Sequence, residues 1–481
     1  MRTSVVGGAP APRWRQRLMR LLPWHRRLAV LACIGIFCWA GSGSLHPLMS
    51  LIQVRPATAA PPQKVLALDN LRSPASVLGG AGINHVQGLR LLQLDQEPYY
   101  QARLHGADEP RYWHARTGEE ADLQARHAQL LAGHYLGSNE PMHCQGNVLA
   151  FNSEYAFINR LLPVARVDTR RENGLRLYLD LYHDRLGSVV DNRKAWFSGF
   201  FQTLHSFGWL NATGPLRVLV MLVLLLAVIC AALSGLAMFF ARKRKRAGVR
   251  RWHAWGGLGL AFATLSFAGS GAFHLLHKQG ADPLPTDFIA SFAPSDLDVA
   301  PSEAWLLPGE ALFQLSLIEL DGKPVWRAEG QQHAMMKSLH YLDANGQEMP
   351  SQTPRQYAAE RLAYYAQALQ LGAMADTSVQ TGFDHEYGFV FKRLPVIKAE
   401  FADADNTSLF VDPLDGALAA RVQDADRLEG WVFGYLHKWE ALGALGQVAK
   451  QVAIFLLGLG HVLLALAGIY LIFRRYATES R

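Results

Sequence analysis

The chain has 481 residues, of which half are hydrophobic and only 18% are charged, and its formal net charge is +7. The positive charge is concentrated between Met1 and Arg27, in the segment 242–251 and in the tail from Arg474 onward, which together sum to +16 and leave −9 for everything else. This distribution is typical of membrane topology and speaks against nucleic-acid binding.

Four uncharged stretches are long enough to cross a bilayer, which takes about 20 helical residues. They are residues 28–54, 218–241, 252–277 and 451–473. Because basic residues stay on the cytoplasmic side, both termini and the linker at 242–251 are predicted to be cytoplasmic. The two long segments between the spans then face outward. The sequence therefore predicts a multi-pass protein embedded in a lipid bilayer.

An alternative interpretation of the N-terminus is a cleavable secretory signal. Arginines in residues 12–27, the apolar run that follows and the sequence Ala57–Ala59 fit such a signal. The apolar run is longer than a usual signal core, and it resembles residues 252–274. A retained span is therefore favoured.

The two outward segments have the pattern of small α+β domains. Alternating runs at Leu89–Arg103 and Leu315–Glu329 turn at Asp-Gln-Glu-Pro and Asp-Gly-Lys-Pro, which indicates hairpins. Helices are predicted at 122–136 and 354–371. A second hairpin is predicted near the end of each segment.

The sequence contains an internal repeat. Leu162-Pro163-Val164 recurs as Leu394-Pro395-Val396, and the Leu-His steps that end in His205 and His437 recur at the same offset. Other matches between the two halves have nearly this offset, which indicates a tandem duplication. Each unit consists of a span, an outward domain and a second span.

The predicted architecture is a helical membrane protein of four spans from a tandem two-span repeat, with two α+β periplasmic domains. The predicted parts are a cytoplasmic tail (1–23), a first transmembrane helix (24–54), a first outward domain (55–203), a long second transmembrane helix (204–241), a cytoplasmic linker (242–251), a third transmembrane helix (252–277), a second outward domain (278–435), a long fourth transmembrane helix (436–475) and a cytoplasmic tail (476–481).

Histidines recur at both ends of the first and third spans. The separation of His25 from His46 equals that of His253 from His274. At about 1.5 Å per helical residue, this spacing is roughly the thickness of a bilayer core. The later histidine of each span ends a Gly-x-Gly-x-x-His motif, at 41–46 and 269–274. The pattern predicts two levels of non-covalent b-type haem, because paired imidazoles and small residues suit a haem in a helical bundle.

On this hypothesis His25 and His253 hold the haem at the cytoplasmic face, and His46 and His274 hold the other at the outer face. Structural alternatives remain open for both pairs. His25 and His253 stand beside basic residues and tryptophans and could bind lipid headgroups. His46 precedes Pro47 and could cap its helix, and His277 is a substitute ligand for His274.

Three further histidines are candidate ligands. If the second and fourth spans are continuous helices from Leu204 and Leu436, His205 and His437 lie some 20 Å beyond His46. There they could cap the outer haem, line a substrate site or be structural. His461 lies in mid-span and could replace an inner ligand or bond a propionate or the backbone.

The span–domain–span order, the sequence Val411–Gly416 (VDPLDG) and the Leu-His steps resemble the PepSY-associated transmembrane family. The first unit departs from this pattern at Leu179–Tyr182, which has no proline. The family includes iron-regulated inner-membrane proteins and dihaem reductases of ferric siderophores. The resemblance therefore implies a periplasmic PepSY-like fold, two haem b groups and a ferric siderophore or other ferric chelate as acceptor.

Other sites are less well supported. The run Met142–Cys144 and the histidines at 127, 134, 333 and 340 do not have the spacing of a closed zinc site, so structural or surface roles are favoured. The four cysteines form no CxxC motif, which excludes the usual covalent c-type attachment. There is no nucleotide-binding fingerprint, so electrons must come from an unidentified separate donor.

The resulting hypothesis is a dihaem b reductase that passes electrons across the inner membrane to a periplasmic ferric chelate and thereby releases ferrous iron. The alternative is a membrane regulator without catalytic activity, whose outward domains bind or inhibit a peptidase. The sequence leaves homo-oligomerisation open.

Overall fold

The computed structural model describes residues 13–241, 247–280, 284–332, 336–349, 354–388, 391 and 393–479. Half of the predicted cytoplasmic linker (242–246), about half of the N-terminal tail and His333 lie outside these residues. The chain divides into two compact units. We call the first the membrane unit (Met1–Gln53, Lys194–Asp282 and Ala425–Arg481) and the second the sheet unit (Val54–Arg193 and Pro283–Asp424).

Ten α-helices occur in the described chain. They are α1 (Arg13–Met19), α2 (Leu22–Ile52), α3 (Pro74–Gly80), α4 (Gln124–Leu136), α5 (Asn192–Leu204), α6 (Gly214–Ala241), α7 (Gly248–Gln279), α8 (Pro354–Ala368), α9 (Asp424–Val432) and α10 (Gln447–Glu479).

Four of these helices, α2, α6, α7 and α10, are long and apolar enough to cross a membrane. They cover the four predicted apolar stretches except for residues 53 and 54, so the prediction of a four-span membrane protein is confirmed at this level. In the membrane unit α2 packs against α6 and α10, and α7 packs against the same two helices. Small or short side chains line the contacts, among them Ala32, Ser42, Ala263 and Ser270, all of which are buried. Small residues let membrane helices approach closely.

The predicted long helices that begin at Leu204 and Leu436 are interrupted. After α5 the chain passes through Phe207 in the left-handed region (φ 51°) and a 3₁₀ turn at Gly208–Thr213 before α6 begins. After α9 it passes through a π-type turn at Phe433–His437, a left-handed Trp439 (φ 51°) and a 3₁₀ turn before α10. The prediction of one continuous helix in each half is therefore wrong.

The sheet unit is built from fifteen strands within the described residues. They are β1 (Gly88–Leu94), β2 (Glu97–Arg103), β3 (Arg111–His114), β4 (Glu120–Ala121), β5 (Met142–Val148), β6 (Val164–Thr169), β7 (Arg176–Asp180), β8 (Arg185–Val190), β9 (Glu310–Leu320), β10 (Lys323–Gln332), β11 (Met336–Leu342), β12 (Met374–Gln380), β13 (Val396–Phe401), β14 (Ser408–Val411) and β15 (Leu418–Val422).

These strands form three antiparallel sheets. Two have four strands each, in the orders β5-β6-β7-β8 and β12-β13-β14-β15, with α4 and α8 packed on them. The third has seven strands in the order β11-β10-β9-β1-β2-β3-β4. Its centre is the antiparallel pairing of β1 with β9, where Arg90 lies opposite Ser316. The predicted hairpins and helices are confirmed, but the two outward segments share this sheet and form one unit, whereas the sequence predicts two domains.

The core of the seven-stranded sheet is aromatic and aliphatic. Leu89, Tyr100, Trp113 and Trp326 are fully buried in one cluster. Burying an aromatic side chain of this size removes about 150–250 Å² from water, among the largest contributions a single residue makes. The hairpins of both halves therefore stabilise each other through one common core.

Candidate functional site

The interruptions in the membrane unit carry His205 and His437 inward along the bundle. His205 contacts Ser42 and Gly43 of α2, and Ser42 lies well before the end of α2 at Ile52. The helix between Ser42 and Ile52 measures about 15 Å. His205 therefore lies well inside the helical bundle, whereas a continuous helix would place it beyond the end of α2.

The imidazoles of His205 and His437 lie next to each other, edge to face. Their ring centroids lie 6.4 Å apart, and their planes are at 89°. Two imidazoles that bind one metal ion from opposite sides have centroids roughly 6 Å apart, because each metal–nitrogen bond is about 2 Å long. The spacing of the two rings thus fits a shared metal between them.

Ser42 determines which ring nitrogen of His205 carries the proton. The Ser42 hydroxyl lies 2.5 Å from the carbonyl oxygen of Cys38 and 3.1 Å from Nδ1 of His205. A hydroxyl has one proton, which it donates to the carbonyl, so it must accept a hydrogen bond from the ring. Nδ1 therefore carries the proton of the neutral imidazole, and Nε2 keeps its lone pair, as metal ligation requires.

His437 has the same arrangement on α7. The Ser270 hydroxyl donates to the carbonyl of Ser266 at 2.6 Å and lies 3.1 Å from Nδ1 of His437. A Cβ added at Gly43 or Gly271 would lie 3.5 Å or 3.7 Å from Cε1 of the neighbouring histidine. Each ring therefore lies against a glycine and donates its Nδ1 proton to a serine.

The turns are held to the bundle through backbone carbonyls. Trp39 Nε1 donates to the carbonyl of His205 at 2.9 Å, and the Ser266 hydroxyl donates to the carbonyl of Leu436 at 2.5 Å. These bonds satisfy carbonyl groups that the broken helices leave without partners. They also fix the position of each histidine relative to the helix it faces.

His25 and His253 lie near the starts of α2 and α7. Nδ1 of His25 lies 3.0 Å from the Ser234 hydroxyl, which donates to the Cys230 carbonyl at 2.7 Å. Nδ1 of His253 lies 3.3 Å from the carbonyl of Leu464, which can only accept. Both rings therefore keep a free lone pair on Nε2.

These two histidines also lie against glycines. A Cβ added at Gly235 or Gly468 would lie 3.3 Å from Cε1 of His25 or His253. Four predicted ligand histidines thus share three features, namely a glycine neighbour, an Nδ1–H donor bond and an uncommitted Nε2.

The predicted outer ligands His46 and His274 have different surroundings. The His46 ring lies 6.0 Å from the rings of Phe197 and Phe201. His274 stacks on Phe433 at 4.3 Å, and its Nδ1 bonds the Glu429 carboxylate at 2.5 Å. His277, the predicted substitute ligand, instead bonds Asp426 at 2.8 Å. The described geometry therefore brings His205 and His437 together at this level.

Both nitrogens of His461 are engaged. Nδ1 donates to the carbonyl of Leu457 at 2.6 Å, and Nε2 lies 2.9 Å from the Thr264 hydroxyl. Because Nδ1 carries the proton of the neutral ring, Nε2 can only accept from the Thr264 hydroxyl, whose single proton also lies within reach of the Leu260 carbonyl at 2.9 Å. Of the roles predicted for His461, bonding to the backbone is the one that the structure contains.

Three histidines of the sheet unit that were candidate metal ligands by sequence have structural partners. His127 contacts Tyr112 and Asp184, His134 bonds the carbonyl of Ala60, and His340 lies between Glu310 and Glu348. The described residues contain no group of three or more His, Cys, Asp or Glu side chains that is arranged to hold a metal ion.

An ion pair between the buried Arg90 and the half-buried Asp184 joins β1 to the turn between β7 and β8. Arg90 donates to both carboxylate oxygens of Asp184, at 2.8 and 2.9 Å, and to the Leu181 carbonyl at 2.7 Å. Burial alone raises the pKa of Asp184, but Arg90 and His127 outweigh burial and hold that pKa well below its usual range. The carboxylate is therefore ionised and contributes to the stability of the sheet unit.

Sequence reasoning identifies the histidines and misses the residues that orient them. Ser42, Ser234 and Ser270 are visible as small polar residues inside apolar spans, where a hydroxyl needs a partner. The recurrence of the Gly-Ser-Gly segments around Ser42 and Ser270 is a usable signal. The left-handed conformations of Phe207 and Trp439 give none, since large aromatic residues rarely adopt positive φ.

Comparison with known proteins identifies the family. A search of curated proteins finds no match to the chain. The sequence profile of the PepSY-associated TM region matches residues 99–475, well over half of the chain. The chain therefore belongs to the PepSY-associated transmembrane family.

Proposed function

We propose that this protein is a dihaem b reductase that carries electrons across the bacterial inner membrane to a periplasmic ferric chelate. The observation that carries the proposal is the His205–His437 pair, with its 6.4 Å ring spacing and its two serine-bound Nδ1 atoms. A pair of rings oriented in this way inside an apolar bundle fits bis-histidine ligation of haem iron.

The chain would hold two haem groups, one through His205 and His437 and one through His25 and His253. The bound iron supplies reversible one-electron chemistry. The protein's part is to orient the imidazoles, to raise their basicity through the Nδ1–H bonds and to exclude water with apolar helices. His46, His274 and His461 remain in the account as neighbours of these pairs, without a ligand role.

Two structural parallels support the predicted tandem duplication. The two four-stranded sheets have the same strand order, and the Ser42–His205 and Ser270–His437 contacts are alike in both bond lengths. On this proposal the haem sites lie on a pseudo-two-fold axis along the membrane normal. The basic linker and termini favour a cytoplasmic position for the His25–His253 pair and a periplasmic one for the sheet unit.

The acceptor that we propose is a ferric siderophore or a similar ferric chelate. One electron reduces the bound Fe³⁺ to Fe²⁺, and the hard oxygen ligands typical of siderophores hold Fe²⁺ more weakly, so the metal leaves without a covalent bond being broken. The electron comes from a separate donor, since the sequence contains no nucleotide-binding fingerprint.

The absorption spectrum of the purified full-length protein tests this proposal. Protein from haem-replete cells should contain two b-type haems per chain and show a low-spin bis-histidine spectrum that sharpens on reduction with dithionite. Oxidation of the reduced protein by a ferrioxamine-type chelate should follow. A colourless preparation would refute the reductase and leave the peptidase-regulator alternative.

A further inference from the structure

A partly buried arginine lies beside the turn that carries His205. Arg217 is the fourth residue of α6, and its Nη1 donates to the carbonyl of Ser206 at 3.3 Å. Its Nε is buried and has no hydrogen-bond partner among the described residues. A guanidinium is always charged and has five N–H donors to satisfy, so this position calls for an anion.

The described part of the membrane unit offers no acid for this purpose. Its described residues include acidic residues at four positions, Asp426, Glu429, Glu440 and Glu479. Glu479 is at the opposite end of α10 from this level. The other three are bonded elsewhere, Asp426 to His277, Glu429 to His274 and Glu440 to Lys450.

Lys450 occupies the same position in α10 as Arg217 does in α6. It is the fourth residue of α10, as Arg217 is the fourth residue of α6. Its ammonium is buried and lies 2.5 Å from Glu440, three residues after His437. The residue three positions after His205 is Gly208, which has no side chain. Lys450 is thus neutralised by Glu440, whereas Arg217 has no acidic partner among the described residues. Lys438, which directly follows His437, lies over the ring of Phe433 at 5.0 Å.

A charge withdrawn from water without a counter-charge is costly, so a cation in this position favours a ligand that brings an anion with it. We infer that Arg217 binds a carboxylate of the bound ligand, namely a propionate of the haem held by His205 and His437. This inference rests on the proposed function. A phosphate headgroup of a lipid offers similar anionic oxygens, and the test must separate the two sources.

The test compares two porphyrins in the wild-type chain and in Arg217→Gln. One is haem b, and the other is its dimethyl ester, in which both propionates are neutral. The full-length protein is loaded with each, and transfer to an excess of an apo-haem acceptor is followed spectroscopically. Haem bound by His25 and His253 is the internal reference for correct folding.

With haem b, the group held by His205 and His437 should leave Arg217→Gln about tenfold faster than wild type. With the ester, the two proteins should release it at equal rates. Lys450→Gln, the matched control, removes an equivalent charge that Glu440 already neutralises, and it should change the haem b rate less than twofold. Should Arg217→Gln fail to fold, Arg217→Lys provides the same comparison with a smaller expected difference.

The inference is overturned if Arg217→Gln releases haem b at the wild-type rate. It is also overturned if the variant speeds release of both porphyrins equally, because Arg217 then acts on the fold or on a lipid phosphate. Equal effects of Arg217→Gln and Lys450→Gln would indicate a non-specific charge effect and would contradict it as well. A chain that binds no porphyrin would instead refute the proposed function, so the two failures are distinguishable.

Discussion

The rings of His205 and His437 lie 6.4 Å apart with their planes at 89°, although the two residues belong to different halves of the chain. Each ring is brought there by a break between two helices and held by a serine on a third. The break has a cost, since it interrupts helical hydrogen bonding in an apolar environment. The chain contains such a break at both histidines. For this reason we give His205 and His437 the central role in the proposed function.

The serine contacts predict a change in redox potential. Replacing Ser42 or Ser270 by Ala removes the acceptor of the Nδ1 proton and makes the imidazole less basic. A less basic ligand stabilises ferric iron less, so the midpoint potential of that haem should rise. If the substitution changes the ratio of the site's affinities for ferric and ferrous haem about tenfold, the midpoint potential shifts by about 59 mV for a one-electron couple. Spectroelectrochemistry measures this potential.

Thr264→Val is the control for this series. Thr264 bonds His461, whose two nitrogens are both engaged. This substitution should leave both midpoint potentials unchanged. A rise after Thr264→Val equal to that after Ser42→Ala would show that His461 belongs to the ligand set.

The Arg90–Asp184 pair predicts a large local loss of stability. Arg90→Ala leaves the half-buried Asp184 carboxylate without its main partner, and breaking a pair of which one member is fully buried costs up to about 3–5 kcal/mol. Amide hydrogen exchange in β1 and in the β7–β8 turn should become at least about a hundredfold faster. Arg126→Ala breaks an exposed pair with Asp95 and should cost less than about 1 kcal/mol. Equal effects would contradict the assignment.

Asp184 also predicts a dependence on pH. Its folded pKa lies below the usual value of about 3.9, so its contribution to stability is complete above that value and is lost as the pH falls through the folded pKa. Hydrogen exchange should therefore show a difference between wild type and Asp184→Asn that is constant from pH 7 to about pH 5 and shrinks below about pH 4. A difference that grows on acidification would have the wrong sign.

The charge distribution predicts the topology. A reporter that is active only in the periplasm should be inactive when fused within 242–251 and active when inserted between Asp403 and Asn406. Activity of the first fusion would overturn the orientation and with it the periplasmic location of the acceptor.

Much of the fold was predictable because its signals are local. The four apolar stretches, the alternating hairpins around Asp95 and Asp321 and the helix at 354–371 each follow from periodicity or turn chemistry. The shared seven-stranded sheet was not predictable, because β1 and β9 come from opposite halves of the chain. The sequence of neither strand indicates which strand it pairs with.

The candidate site, like the fold, has parts that were predictable from the sequence and parts that were not. Repetition identified His25 with His253, His46 with His274 and His205 with His437 as candidates. The pairing was not predictable, because it depends on where the chain leaves the helix at Phe207 and Trp439. A position calculated from the rise per residue assumes a continuous helix. One left-handed residue is enough to move His205 from beyond the bundle to its interior.

The haem content of single histidine variants tests the central claim most directly. His205→Ala and His437→Ala should each lose one of two haems, or convert it to a high-spin form, while the haem at His25 and His253 keeps its spectrum. His46→Ala and His274→Ala should retain two low-spin haems. Retention of both haems in His205→Ala together with loss of one in His46→Ala would contradict the account and return the outer site to the Gly-x-Gly-x-x-His motif.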